Sequence, residues 1–401
     1  MNDRRDLLAS IDGLSQWLSS VNHHYYSVNS VPSPRVVTSL CRRFKGVGIF
    51  WRQLFRLCPV NLRPTGCENT PIDPKANILF AAAYLRLMAL CGDAFEERFM
   101  QSLDRVMSLR SRQTSLFAIR QNRDLYLKYW QAGKDSISPL LTSWSGDLFL
   151  ACYDYFQSQE YLDLAGQVAE YFMREYPKEE SEEGVYFRYA PGLSTRIYNA
   201  SAQISAFLLD YGTIADSPRA ADYGYRGIHY VARAQNSDGS WFYGEGKGLR
   251  YIDSFHTAFI LQALHRSVSS GGGPAFREAL TRGLRYYTTT LFKADEDGAW
   301  QPVHFDKRYW PSSSSAIQRV DIRDCALAII LFSALSREDP VWAANAEAVL
   351  KWADLHMKAG ACYWAEVTWL WKNRIPYIEF QAWMLLSLAR YLEAVCCASE
   401  V

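Results

Sequence analysis

The chain has 401 residues, of which 49% are hydrophobic and 21% charged, and its formal net charge is +1. This balance is typical of a folded protein with a large core, and it argues against nucleic acid as a partner. The longest apolar stretch, residues 78–91, is too short to span a bilayer. The nine cysteines form no CxxC pair, so we expect a reduced, cytoplasmic protein without a metal or other cofactor.

Residues 1–73 are predicted to form an N-terminal helix and an irregular covering segment. Leu7, Ile11, Leu14 and Leu18 repeat at helical spacing, and the stretch lacks a signal-peptide core. Residues 22–73 contain a basic aromatic run, RRFKGVGIFWRQLFR. Such a run is typical of a helix that binds a membrane surface or a partner. The preferred interpretation is a segment whose Phe and Trp side chains pack on the main body.

From about residue 74 the apolar residues follow a helical period almost to the end of the chain. The spacing predicts helices over 76–91, 95–109, 141–156, 160–175, 199–211, 218–234, 254–268, 275–291, 322–336, 341–357 and 379–395. They alternate between helices that are apolar all round and helices that are amphipathic. An all-apolar helix is buried and its amphipathic neighbour shields it, so the pattern predicts helical hairpins.

The apolar helices begin near residues 75, 141, 198, 253, 321 and 379, a period of about 60 residues. Five hairpins are complete, and the N-terminal helix can partner the sixth apolar helix. The sequence therefore predicts an all-α fold, an (α/α)6 toroid over 74–401, closed by the terminal helices. Two Asp-Gly turns followed by tryptophan, at 238–241 and 297–300, repeat in register with these hairpins.

In such a ring the inner helices run parallel, and their N-termini converge on one central cavity. Asp253 and His256 form the sharpest pair at these starts, because positions i and i+3 share a helical face. A histidine beside a carboxylate can act as a general acid or base near neutral pH. The alternative is that Asp253 is only an N-cap and His256 a polar residue of the first turn.

The other helix starts supply further candidates. Asp321 is a second candidate catalytic carboxylate, and Arg323 would hold a uronate or phosphate, unless the two only cap the helix as an ion pair. Tyr198 is a candidate acid or base, and Asn199 would either fix a ligand or cap its helix. Glu379 lies among aromatic residues, an environment that raises a carboxyl pKa and suits a general acid.

Aromatic residues make up 14% of the chain, and aromatics beyond core needs often line sugar sites. His304 and Asp306 are predicted to reach the cavity rim, and residues 311–315 to form a lid. The candidate sugar-stacking platforms, each of which could instead anchor a loop or the core, are Trp144, Trp241, Trp300, Tyr309, Trp310 and Trp364.

Four stretches together resemble bacterial and archaeal toroid proteins of exopolysaccharide and capsule biosynthesis clusters: 142–156, 196–209, 234–264 and 320–335. The resemblance covers about 74–395, and 234–264 is its most specific part. This chain has Ser254 where the family motif has Asn, and Arg323 where it often has His, so no metal or proton-transfer role is carried over to residue 323. More distantly the chain resembles N-acylglucosamine 2-epimerases, glucuronyl C5-epimerases and (α/α)6 glycosidases and lyases, a likeness of fold.

Residues 235–241 also fit the QxxxGxW repeat of terpene cyclases and prenyltransferases, but the DxDD and DDxxD signatures are absent. The expected function is an epimerase, lyase or hydrolase acting on a carbohydrate in polysaccharide biosynthesis, associated with the synthesis machinery. The alternatives are a non-catalytic glycan-binding or scaffold toroid, and a terpene cyclase-like enzyme.

Overall fold

The computed structural model describes residues 4–23, 26–28, 35–57, 73–126, 131–246, 248–309, 318–368 and 370–398, and most of them are helical. Within these ranges no helix is long and apolar enough to cross a membrane. In chain order the helices are α1 (Arg4–Ser20), α2 (Arg35–Arg43), α3 (Lys45–Leu57), α4 (Pro74–Cys91), α5 (Glu96–Ser108), α6 (Pro139–Phe156), α7 (Gln159–Glu170), α8 (Tyr198–Ile214), α9 (Pro218–Arg233), α10 (Ser254–Ser269), α11 (Pro274–Thr290), α12 (Ile322–Leu335), α13 (Val341–Met357) and α14 (Ile378–Ala398).

Six of these helices, α4, α6, α8, α10, α12 and α14, form the inner ring. Each contacts the next, and α14 contacts α4, which closes the circle. They are apolar on nearly every face because they are buried between the axis and the outer helices. Four of them begin at a side-chain N-cap, at Asp73, Ser138, Asp253 and Asp321, which satisfies free backbone N–H groups of the first turn.

The outer ring consists of α5, α7, α9, α11 and α13, each packed on the inner helix that precedes it, and α1 packs on α14. Leu7, Ile11, Leu14 and Leu18 of α1 are buried, as the periodicity predicts. The N-terminal helix therefore completes the sixth hairpin, and the chain is an (α/α)6 toroid. A π-helical turn at Tyr171–Glu175 extends α7.

The segment expected to be irregular instead contains α2 and α3. Cys41 and Gly48 are buried on its inner side, whereas Phe44 and Phe50 are exposed. The expectation that its phenylalanines pack on the main body is thus wrong for these two residues, and the side chain of Phe55 lies outside the described set.

Short strands form hairpins in the loops. Antiparallel pairs join β1 to β2, β3 to β4, β5 to β6 and β8 to β9, and β10 lies between β7 and β11. Gly239 and Gly298 of the two Asp-Gly turns adopt positive φ, +92° and +75°, a conformation that glycine adopts freely. The strand bounds are Leu125–Tyr126, Gln131–Ala132, Lys178–Ser181, Gly184–Phe187, Phe292–Ala294, Trp300–Pro302, Arg319–Asp321, Lys358–Ala359, Cys362–Tyr363, Glu366–Thr368 and Lys372–Asn373 for β1 to β11.

An aromatic partition divides the centre of the ring. The ring centroids of Trp144 (α6), Phe259 (α10) and Trp383 (α14) lie 5.5–5.8 Å from one another. Because these three helices alternate around the ring, side chains that touch across it must meet near the axis. One cavity lies on the side of the helix N-termini and a second, of about 470 Å³, on the opposite side.

Candidate active site

The cavity at the N-terminal ends of the inner helices has a volume of about 370 Å³, within the range of small-ligand sites. All six inner helices contribute to it, as the ring geometry predicts. Their residues in its wall include Lys75, Leu141, Asn199, His256, Arg323 and Glu379. Groups that are far apart in sequence are therefore brought to one site by the parallel arrangement of these helices.

Asp253 and His256 form a hydrogen-bonded pair in the wall of this cavity. The Nδ1 atom of His256 lies 2.7 Å and 2.9 Å from the two carboxylate oxygens of Asp253, which also accepts the backbone N–H of His256 at 2.7 Å. Burial raises the pKa of Asp253, but the adjacent His256 more than offsets this and holds it below its ordinary value. An ionised carboxylate only accepts hydrogen bonds, so Nδ1 carries the proton.

This tautomer leaves the Nε2 atom of His256 as the basic nitrogen. No described residue hydrogen-bonds to it, and the side chain remains 25% exposed, so a ligand can reach it. The ring is held between Tyr243 and Phe255, at centroid distances of 4.5 Å and 5.2 Å. His256 is therefore oriented and accessible, as a general base requires.

A second histidine–carboxylate pair lies beside the first. Nδ1 of His304 is 2.7 Å from Oδ2 of the fully buried Asp324, and its Nε2 is 3.0 Å from an Nη atom of Arg319. Because a guanidinium only donates, Nε2 must accept and Nδ1 must carry the proton. Both nitrogens of His304 are thus engaged. The backbone of His304 accepts from Ser254 at the start of α10, which ties this segment to the Asp253–His256 pair.

Glu379 is the carboxyl group in the cavity wall with a free oxygen. Its Oε1 accepts from the Ser27 hydroxyl at 3.0 Å and the Val28 backbone N–H at 2.9 Å, while its buried Oε2 has no partner among the described residues. Burial, together with the nearby Asp73 carboxylate, raises its pKa, and Lys75 lowers it only in part. A carboxyl group in this state is suited to donate a proton.

Three described cations in the cavity wall, Lys75, Arg123 and Arg319, were not predicted as site residues. Arg123 is 5% exposed and binds Asp73 through Nη2 at 2.8 Å, while no residue that the structure describes bonds to its Nη1. Lys75 makes no hydrogen bond to a described residue, and burial lowers the pKa of its amino group. The helical pattern contains no signal for Arg123, which lies in the loop between α5 and α6; Lys75 is marked only by its place at a helix start.

Arg323 and Asp321 form an ion pair within the first turn of α12. The guanidinium contacts the Asp321 carboxylate at 2.8 Å and 2.6 Å, and Asp321 caps the helix in a capping box with Asp324. Arg323 lines the cavity above Phe380, whereas Asp321 is buried and is not among the lining residues. The guanidinium of Arg323 is thus bound to the residue that caps α12, and only the guanidinium faces the cavity.

Tyr198 and Asn199 are adjacent in sequence, but only Asn199 lies in the cavity wall. The hydroxyl of Tyr198 donates to Glu245 at 3.1 Å, which with burial raises its pKa well above the ordinary value, and the residue does not line the cavity. Asn199 does line it, and its buried Oδ1 accepts no hydrogen bond from the described part of the chain. The structure therefore gathers Asn199, but not Tyr198, with the Asp253–His256 pair.

Of the described candidate stacking platforms, Trp144 alone lines the cavity. Trp241 is 1% exposed and donates to the Val231 carbonyl at 2.9 Å, so it anchors its loop. Trp300 packs on Phe292 and Phe332 behind α12. Tyr309 packs on Phe242, and Trp364 is covered by Lys372 and Arg374. Trp310 and the predicted lid at 311–315 lie outside the described residues.

Among the described residues, no group of three or more His, Cys, Asp or Glu side chains has an arrangement that could hold a metal ion. The polar groups of the cavity instead include a candidate acid, Glu379, a candidate base, His256, and cationic side chains. This arrangement is suited to binding an anionic ligand and moving a proton on it.

No protein-family model and no curated protein sequence matches this chain. Its fold is similar to an unsaturated glucuronyl hydrolase specific for heparin, with a TM-score of 0.61 and 12% identity over 99% of this chain and 98% of that chain. It is also similar to a family 76 glycoside hydrolase (mannosidase) of Bacteroides thetaiotaomicron, with a TM-score of 0.62 and 11% identity over 98% of this chain and 100% of that chain. A sugar epimerase from a ruminal bacterium matches with a TM-score of 0.54 and 13% identity over 78% of this chain and 87% of that chain. At these identities the likeness establishes the toroid fold. Solved structures with this fold thus include carbohydrate-active enzymes.

Proposed function

We propose that this protein is a carbohydrate-active enzyme that removes a proton next to the carbonyl or carboxylate group of a sugar, as an epimerase or a lyase. The observation that carries the proposal is the oriented Asp253–His256 pair, whose free Nε2 faces a cavity that also holds the amino group of Lys75 and the free Nη1 atom of Arg123. His256 takes the proton, and Asp253 stabilises the imidazolium that forms. Glu379, with its raised pKa, supplies a proton to the substrate or to the leaving group.

Hydrolysis by a pair of carboxyl groups is less well supported. A glycosidase of that kind uses one carboxyl as acid and another as base or nucleophile. Both oxygens of Asp253 are occupied by His256, and Asp73 is held by Arg123 and by its own helix cap. Glu379 is then the one carboxyl in the described wall with a free oxygen.

The preferred substrate is an acidic sugar, such as a uronate. Four cationic side chains line the cavity: Lys75, Arg123, Arg319 and Arg323. The amino group of Lys75 and the free Nη1 of Arg123 can each contact a substrate carboxylate. The same positive charge stabilises the enolate-like transition state that follows proton removal. It disfavours terpenoid cyclisation, because cations in the wall destabilise a carbocation.

We assign the reaction to exopolysaccharide or capsule biosynthesis in the cytoplasm, in association with the synthesis machinery. The sequence resemblance of residues 234–264 to toroid proteins of such clusters supports this assignment, and the names of the fold neighbours support a saccharide substrate. Asn199 and Trp144 are proposed to position the sugar ring, and Arg323 to add positive charge at the rim.

The test is solvent deuterium exchange. The purified protein is incubated in D2O with uronate-containing oligosaccharides and with their neutral counterparts, and mass and NMR spectra locate deuterium on the sugar or an unsaturated product. We expect turnover of acidic sugars, and a loss of about 10²–10⁴-fold in His256→Ala, the range for removal of a general base.

His265→Ala is the matched control, because it removes a histidine from the far end of the same helix. Its Nε2 lies 3.0 Å from the half-exposed Glu338, away from the cavity, so activity is expected to be kept. Deuterium exchange that survives in His256→Ala would show the assignment to be wrong. Saturable binding of acidic sugars without exchange or elimination in the wild type would instead support the non-catalytic binding role.

A further inference from the structure

A set of exposed apolar side chains extends along α2, the linking residue Phe44 and α3. It consists of Val36, Leu40, Phe44, Phe50 and Leu54, which are 72%, 42%, 51%, 67% and 44% exposed. Val36 and Leu40 in α2 are four residues apart, as are Phe50 and Leu54 in α3, so each pair lies on one face of its helix, and Phe44 lies between the two helices. We call this set the α2–α3 edge.

Exposed apolar side chains are concentrated at this edge. Among the described residues, five of the thirteen exposed large hydrophobic side chains lie within positions 36–54. The other eight are spread over the rest of the toroid. Single exposed apolar residues are normal, but a contiguous set marks a surface that binds something.

Positive charge is concentrated in the same segment. Residues 35–57 contain six Arg and Lys residues and no Asp or Glu, and the acid-free stretch extends from residue 13 to 67. Since the whole chain has a net charge of +1, the rest of the protein carries −5. Arg43 is exposed, and its guanidinium lies 5.5 Å from the ring centroid of Phe44, so a described cation lies directly at the α2–α3 edge.

The opposite side of this helical pair is fixed to the toroid. A Cβ atom placed on Gly48 would lie 2.5 Å from the ring of Tyr126, which shows how closely α3 approaches β1. Tyr126 follows Leu125, a residue of the cavity wall. The α2–α3 edge therefore faces outward on a platform that borders the cavity at the helix N-termini.

We propose that the α2–α3 edge docks on an anionic lipid bilayer. Helices with a phenylalanine- and leucine-rich face and a basic polar face lie in the membrane interface, where apolar burial and attraction to anionic headgroups add together. An acid-free segment on a protein that is otherwise acidic is complementary to such a surface, whereas a symmetric dimer through this edge would place two basic segments face to face. The proposal does not depend on the chemistry of the cavity.

The test is flotation of the full-length protein with lipid vesicles. We expect binding to vesicles of phosphatidylglycerol mixed with phosphatidylcholine, and little binding to phosphatidylcholine alone. Binding should weaken when salt is raised from about 0.1 M to about 1 M, because the screening length falls from about 10 Å to about 3 Å. Phe44→Ser with Phe50→Ser should lower the partition coefficient about tenfold for each phenylalanine.

Val341→Ser with Leu355→Ser is the matched control, because it removes two apolar residues of α13 that are 52% and 62% exposed. This variant should bind vesicles like the wild type. Circular dichroism melting of both variants establishes that they are folded.

Three results would overturn the proposal. The first is an absence of binding to anionic vesicles by the wild type. The second is equal binding by the Phe44 and Phe50 variant. The third is a wild-type dimer in solution that becomes monomeric in that variant, since the α2–α3 edge would then be covered by a second copy.

Discussion

Asp253 has two functions at one position. Its carboxylate accepts the backbone N–H of His256, which caps α10, and it also accepts Nδ1–H from the same residue's ring. Capping of the helix and orientation of the His256 ring are therefore not alternatives here, because an N-cap carboxylate naturally lies beside the side chain three residues later. The i, i+3 spacing in the sequence was sufficient to predict this pair.

Glu379 allows a prediction about stability and pH. Its pKa is raised in the folded protein above the ordinary value of 4.5, so the unfolded chain loses the proton first and folding becomes less favourable as pH rises. Glu379→Gln removes this penalty. We expect the variant to melt at a higher temperature than the wild type near pH 7, about 2.5 units above that ordinary value, with the gap closing towards pH 4.5.

Glu278→Gln provides the comparison for this measurement, because Glu278 is exposed on α11. It should melt with the wild type across the same pH range. A Glu379→Gln variant that is less stable than the wild type at neutral pH would contradict the assignment of a buried, reluctantly ionised carboxyl group.

Other residues of the candidate site could not be predicted from sequence. Arg123 lies in a loop without periodicity, and it reaches the cavity only because Asp73 holds its guanidinium. Trp241 and Trp144 are the same residue type. Trp241, however, donates to a backbone carbonyl away from the cavity, whereas Trp144 forms part of the aromatic partition. Which aromatic ring faces a cavity depends on the rotation of its element, which residue type does not encode.

At the scale of elements, periodicity located the toroid helices to within a few residues. The inner helices were recognisable because burial on all sides demands apolar residues on all sides. The same rule failed for α2 and α3, since their apolar residues face solvent rather than a core. The short loop strands were also missed, because pairs of two to four residues carry too little alternation to detect.

The hairpin of α8 and α9 depends on close backbone contact. A Cβ atom at Gly224 in α9 would lie 2.5 Å from the Leu209 nitrogen and 2.7 Å from the Ser205 carbonyl oxygen in α8. Both are backbone atoms, so the helices must separate to admit it. We expect Gly224→Ala to lower the free energy of unfolding by about 1–3 kcal/mol, measured by denaturant unfolding.

Gly13→Ala is the opposite case, because the added Cβ would meet only the Ala361 methyl at 3.8 Å. The helix α1 should then gain about 0.5–1 kcal/mol from the lower conformational entropy of alanine. If Gly224→Ala were as stable as the wild type, the tight crossing of α8 and α9 would not be present in solution.

At the scale of the whole molecule, one arginine joins three inner helices on the side opposite the candidate active site. Arg266 of α10 contacts Asp147 of α6 at 2.6 Å and Asp210 of α8 at 2.6 Å, and each side chain is about a quarter exposed. Arg266→Met leaves two neighbouring carboxylates without their shared cation, with only the hydrogen bonds from Gln203 and Ser270 remaining. We expect it to reduce the free energy of unfolding by about 3 kcal/mol, the lower end of the cost of breaking a buried ion pair.

A double variant with Asp210→Asn should recover part of this loss, because one unpaired charge is removed. Arg226→Met is the control, since its partners Glu180 and Asp222 are 41% and 61% exposed, and it should cost less than about 1 kcal/mol. Equal effects of Arg266→Met and Arg226→Met in calorimetry would contradict a role for Arg266 in holding the three helices together.

The aromatic partition of Trp144, Phe259 and Trp383 determines the route of any substrate. The ring of helices surrounds a central space, but these three aromatic side chains fill it near the axis. A polymer therefore cannot be threaded from one side of the toroid to the other. Whatever reaches His256 must leave by the mouth through which it arrived. For the proposed activity we therefore expect each turnover to end in release, and a long glycan to be altered in separate encounters rather than in one continuous passage.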